Sequence, residues 1–139
     1  MKKLLKQLVQ NLVFLSVFIV CSANASSLEG SEIGAVEFEK SCAACHGFDG
    51  KGKGYMSDSL KTPPTNLTQL SSENSGHFPF LKVYQAIEGS KRVGMHRPRE
   101  MPVWGEEFRR EADKYGVDER LYSRGVILEL ITHIYSLQE

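Results

Sequence analysis

The chain has 139 residues, 41% of them hydrophobic, and its 17 basic side chains are matched by 17 acidic ones. That length fits one domain, no internal repeat is present, and the absence of a basic excess argues against nucleic acid as a partner.

Lys2, Lys3 and Lys6 precede the apolar stretch Leu12 to Cys21, which closes on Ala23-Asn24-Ala25. A basic start, a short apolar run and a small-x-small site predict a secretory signal peptide over residues 1–25, cleaved after Ala25. A retained membrane anchor needs about twenty apolar residues, and Gln7, Gln10 and Asn11 interrupt this run. Acylation of Cys21 is disfavoured because bulky Val20 precedes it. Residues 26–139 then form the mature domain, with 14 basic against 17 acidic residues and two of the three cysteines, Cys42 and Cys45. A domain of this size sits near the lower end of what buries a comfortable core, a deficit that a large apolar cofactor would fill.

The first element is a helix over Ile33 to Cys45, in which Ala35, Phe38, Cys42 and Cys45 share a face. Gly34 lies on the same side, where a missing side chain lets another helix approach. The helix ends in Cys42-Ala43-Ala44-Cys45-His46, the attachment signature of a c-type haem. Thiols at i and i+3 fall on one side of a helical turn, so each can add across one porphyrin vinyl group, and His46 directly after them can reach the iron. A thioredoxin-like redox pair calls for a preceding strand, and a structural zinc site for four ligands. The sequence supplies neither. One such pentad means one haem, and both cysteines are consumed by it.

From Gly47 to Ser59 the segment holds Gly47, Gly50, Gly52 and Gly54 among polar residues and reads as a loop without regular structure. Its glycines are too irregular for a phosphate cradle. Pro63-Pro64 forces extended backbone. Because a ligating histidine usually donates its second ring nitrogen to a carbonyl or carboxylate, a carbonyl near Pro63 or Pro64 is the candidate acceptor for His46.

Leu81 to Glu88 predicts a short amphipathic helix capped by Gly89. A basic loop, Lys91 to Arg99, leads to Met101-Pro102-Val103-Trp104-Gly105. Glu106 to Tyr115 can form a helical turn or two. Asp118 to Gln138 is the strongest helix, with Ile127, Leu130, Ile131, Ile134 and Leu137 on one face. It should cross the first helix at Gly34 and Phe38. Gly125 within it either costs about 1 kcal/mol against alanine or marks close packing.

Whether the chain carries electrons or converts substrate turns on the iron's sixth ligand. The candidates are Met56, Met95, Met101, His77, His96 and His133. Met101 stands out, because Pro102 keeps it out of a helix and its soft thioether suits iron of high reduction potential.

With Cys42 to Gly47, Pro63 to Thr68, Val83 to Gly89, Arg99 to Gly105 and Ser136-Leu137-Gln138 in this order, the chain resembles a class I, mono-haem c-type cytochrome of the small soluble bacterial kind. The resemblance implies an all-α fold, three or four helices packed around one covalently bound haem with long connecting loops. It implies Cys42 and Cys45 as the covalent anchors, and His46 and Met101 as the iron ligands. His133 departs from it, standing where an aromatic is usual, and is expected to play the same packing role. Exchange of the ligand to Met95 or His96 is a minor alternative. Arg97, Arg99 and Trp104 are candidates to face the haem propionates.

The implied function is a periplasmic monomer that moves one electron between transient redox partners, an oxidase, reductase or dehydrogenase, with no stable membrane insertion after signal cleavage. No acid-base or nucleophilic constellation stands near the haem motif, so no enzyme is expected. The competing readings are a haem protein whose distal methionine leaves to admit peroxide, nitric oxide or carbon monoxide, and a dedicated subunit of one complex. Lys51, Lys53 and Lys61 could steer an acidic partner, although a merely solvated loop is the favoured explanation for them.

Overall fold

The computed structural model describes residues 32–90 and 101–139. Among them lie five α-helices: α1 (Glu32–Ser41), α2 (Ala43–His46), α3 (Phe80–Glu88), α4 (Trp104–Tyr115) and α5 (Glu119–Ser136), with single 3-10 turns at Ser57–Ser59, Leu67–Gln69 and Ser72–Asn74. The described residues contain no strand, so the chain is all-α, as expected.

Helix α5 is the hub, packing on α1, α3 and α4. Its stripe of Ile127, Leu130, Ile131 and Ile134 is at most 3% exposed and joins Phe38, Val83, Ile87 and Phe108 in one core. Full burial of each such side chain stabilises by roughly 1.5–3 kcal/mol. Asp118 starts the helix, its carboxylate accepting from the Arg120 and Leu121 amides at 3.0 and 2.8 Å, which satisfies two of the four amides a helix start leaves without partners.

The crossing of α1 over α5 falls at Gly34, as the sequence predicts. A Cβ there would sit 2.1 Å from the Glu129 carbonyl oxygen and 3.1 Å from the His133 Cβ, so only glycine permits this approach. Gly125 plays no such part, since a Cβ would meet nothing within 4 Å. A second close approach, of α4 to α3, falls at Gly105, where a Cβ would lie 2.5 Å from the Glu88 carbonyl oxygen, and the buried Ser123 hydroxyl of α5 donates to the Gly105 carbonyl at 3.2 Å.

Two helices differ in extent from the sequence reading. The predicted Ile33–Cys45 helix breaks at Cys42, whose φ of −118° separates α1 from α2. Helix α4 runs for 12 residues rather than a turn or two. Its apolar stripe, Trp104, Phe108 and Ala112 at i, i+4 and i+8, is one residue wide and hidden among charges, while Glu106 and Glu107 in the first turn and Lys114 in the last favour the helix dipole. Helix α3 closes on Gly89, with φ +99° and its amide bonded to the Gln85 carbonyl.

Candidate haem centre

The anchor turn is short, and the loop after it holds it in place. A four-residue helix leaves its last carbonyls without intrahelical partners. Four consecutive ones in α2 are taken up by the loop: Gly47 N–H donates to Ala43 O at 2.8 Å, Met56 to Ala44 at 2.9 Å, Gly54 to Cys45 at 3.0 Å and Gly52 to His46 at 2.7 Å. The irregular glycine spacing that looked like a plain loop follows from this contact. A Cβ at Gly54 would lie 2.2 Å from Ala44 O, and one at Gly52, where φ is +79°, would lie 2.4 Å from Pro64 O.

Cys42 is buried in the core cluster beside Phe38 and Ala43, while Cys45 is half-buried, and the two are free thiols. Burial, with smaller contributions from Glu37 and Cys45, pushes the Cys42 thiol up to about 12. Redox-active CxxC pairs work through a depressed thiol, so this environment opposes a thioredoxin-like role. It suits a sulfur that ends as an uncharged thioether.

His46 is half-buried and donates from Nδ1 to the Thr65 carbonyl at 3.0 Å. The acceptor lies one residue past the proline pair, so the predicted contact forms with a shifted partner. A carbonyl partner requires the proton on Nδ1, which leaves Nε2 as the unprotonated atom available to a metal. Burial holds the ring below its ordinary 6.5, with the Thr65 bond partly opposing, so the neutral, ligating form prevails near pH 7. Among the described residues no group of three or more His, Cys, Asp or Glu could hold a bare metal ion. Two free thiols and one imidazole nitrogen left without a proton fit an iron that is delivered within an apolar macrocycle.

Met101 follows the residues outside the described set and lies half-buried against the same core that contains Cys42. The other sixth-ligand candidates separate by position. Met56 is 43% exposed, His77 is exposed, and His133 packs its ring 5.0 Å from Phe38. Met95, His96, Arg97 and Arg99 lie outside the described residues. Trp104 stacks on Phe108 with ring centroids 5.8 Å apart. Of the three lysines, Lys51 pairs with Glu139 at 2.9 Å, while Lys53 and Lys61 are exposed.

A separate cleft of about 340 Å³ lies between α3, α4 and α5, lined by Tyr84, Glu88, Arg109, Arg120, Ser123 and Arg124. It contains no thiol or imidazole and is not the haem site.

The helices around an apolar core and the Cys-x-x-Cys-His turn define a c-type haem protein. A family model of cytochrome c matches residues 31–112, more than half of the chain, and the chain belongs to the cytochrome c family. The family's cofactor is covalently bound haem c with its iron, and its chemistry is electron transfer. The match ends within α4, so α5 lies beyond it. The comparisons with curated proteins and with solved structures gave no match.

Proposed function

We propose that the protein is a periplasmic one-electron carrier in which Cys42 and Cys45 would hold the haem through thioethers, and His46 and Met101 would ligate its iron. Bound haem supplies an iron that cycles between ferrous and ferric states. The observation that carries the reading is the His46–Thr65 bond, which fixes the tautomer and aims Nε2 as the free donor. Met101 adds a soft donor on the core shared with Cys42. With His46 and Met101 both serving as ligands, the protein would leave no coordination site for substrate and would offer the iron the same donors in both oxidation states.

Residues 1–25 serve as a cleaved leader, and the mature domain, residues 26–139, works as a monomer. No helix among the described residues is long and apolar enough to cross a membrane. Partners are an oxidase, reductase or dehydrogenase, met transiently through the small, weak interfaces usual for redox encounters.

Carbon monoxide tests the closed site. Mixed with the reduced protein at neutral pH, it leaves the spectrum of a closed carrier unchanged over minutes. Rapid, stoichiometric binding would instead establish the gas- or peroxide-responsive alternative, in which the distal methionine dissociates.

A further inference from the structure

The segment after α5 reaches back to the stretch 67–71, which follows the Thr65 carbonyl that accepts from His46. The Gln138 side-chain amide donates to the Leu67 carbonyl at 2.7 Å and the Ile134 carbonyl at 2.8 Å, and accepts from the Ser71 amide at 2.9 Å. One half-buried side chain thus ties the last turn of α5 to both ends of the stretch 67–71. Next to it, the Glu139 amide donates to the Thr68 carbonyl at 3.0 Å, and Leu137 packs on Gly50, where a Cβ would lie 3.0 Å from Leu137 Cδ1.

The turn is closed from within as well. Asn66 Oδ1 accepts from the Thr68 amide and hydroxyl at 3.0 and 2.9 Å, and Leu67 N–H donates to the Gly50 carbonyl at 2.7 Å. Thr65 stands two residues before Leu67. On its other side Pro63 and Pro64 have no amide hydrogens with which to anchor the backbone.

We infer that Gln138 is a positioning residue for His46: by clamping Leu67 and Ser71 to α5 it fixes the Thr65 carbonyl that orients the imidazole and raises its basicity toward iron. This rests on the reading of His46 as an iron ligand and extends it to a residue beyond the family match. Partners of this kind tune the metal through the ligand. Without the amide, the half-buried Leu67 carbonyl and Ser71 amide lose this partner, the turn loosens, and the Nδ1–H bond to Thr65 weakens. A less basic imidazole stabilises ferric iron less, so the reduction potential rises.

The test compares holoproteins carrying Gln138→Ala and Gln138→Leu, the second preserving most of the side-chain volume, with Asp118→Ala as a control that uncaps the far end of α5. For each, the thermal midpoint, the reduction potential and the solvent-exchange rate of the His46 Nδ1 proton in the ferrous NMR spectrum are measured. Both Gln138 variants should raise the potential and speed the exchange severalfold, while Asp118→Ala lowers the midpoint and leaves both unchanged. Equal loss of midpoint in all three, with potential and exchange unmoved, would overturn the role of Gln138 alone. A wild-type spectrum lacking a haem-shifted His46 ring proton overturns the ligand assignment, and the inference with it.

Discussion

His133 sits half-buried on α5 with its ring 5.0 Å from that of Phe38, and burial holds its pKa below the ordinary 6.5. The folded protein therefore keeps this ring neutral where the unfolded chain would protonate it. Between the two values the unfolded state binds more protons, so stability rises with pH. The contribution is complete above 6.5 and is lost as pH falls below it. His133→Phe keeps the ring contact and removes the titration. Denaturant titrations at pH 7.5 and 5.5 should show a smaller loss of stability at the lower pH in the variant than in the wild type, and equal losses would contradict this account. The residue scale is also where the sequence was most readable at the site. Cys42, Cys45 and His46 are adjacent in the chain, and a covalent anchor imposes its own spacing. Thr65 was nearly legible, because the proline pair marks stiff backbone, but which of three neighbouring carbonyls receives the proton depends on the loop's path over Gly52.

Helix α1 crosses α5 through a contact that admits no side chain. Gly34→Ala would drive a Cβ into the Glu129 backbone, which cannot rotate away as a side chain could. Overpacking of this kind costs typically about 1–3 kcal/mol, and a urea titration should show that loss despite alanine's better helix propensity. At the start of α5, Asp118→Ala removes the acceptor of two amides and should cost about 1 kcal/mol. Gly125→Ala, in contrast, meets open space and should be neutral or stabilising by up to about 1 kcal/mol. The helices with broad apolar faces, α3 and α5, were legible from periodicity. Helix α4 exceeds the length its sequence signals because its stripe is one residue wide, and the break at Cys42 leaves no signal because Phe38, Cys42 and Cys45 keep helical spacing across it. Gly34 and Gly125 could not be told apart by sequence, since close approach is a property of the partner element.

At the scale of the whole molecule, the core runs through Cys42 and has Met101 and Trp104 packed against it. Phe48 and Tyr55, in the loop that clamps the anchor turn, are 73% and 84% exposed. A small domain whose cofactor forms part of its interior depends on that cofactor for stability. Cys42→Ala combined with Cys45→Ala should give a chain with no cooperative thermal transition, and a sharp one in calorimetry would show that the protein core suffices alone. The all-α architecture and the order of elements could be read from hydrophobic periodicity and from the familial motifs together. The ties that close the molecule could not. Gln138 to Leu67 spans 71 residues, and neither residue type nor spacing signals such a pairing.

On the proposed reading, His46 and Met101 together close the iron site. Optical spectroscopy of the ferric protein tests it most directly, because sulfur ligation gives a distinctive sulfur-to-iron charge-transfer band. Wild-type protein should show that band and Met101→Ala should lose it while keeping its covalent haem. Retention of the band in the variant would contradict the account and transfer the ligand role to another methionine.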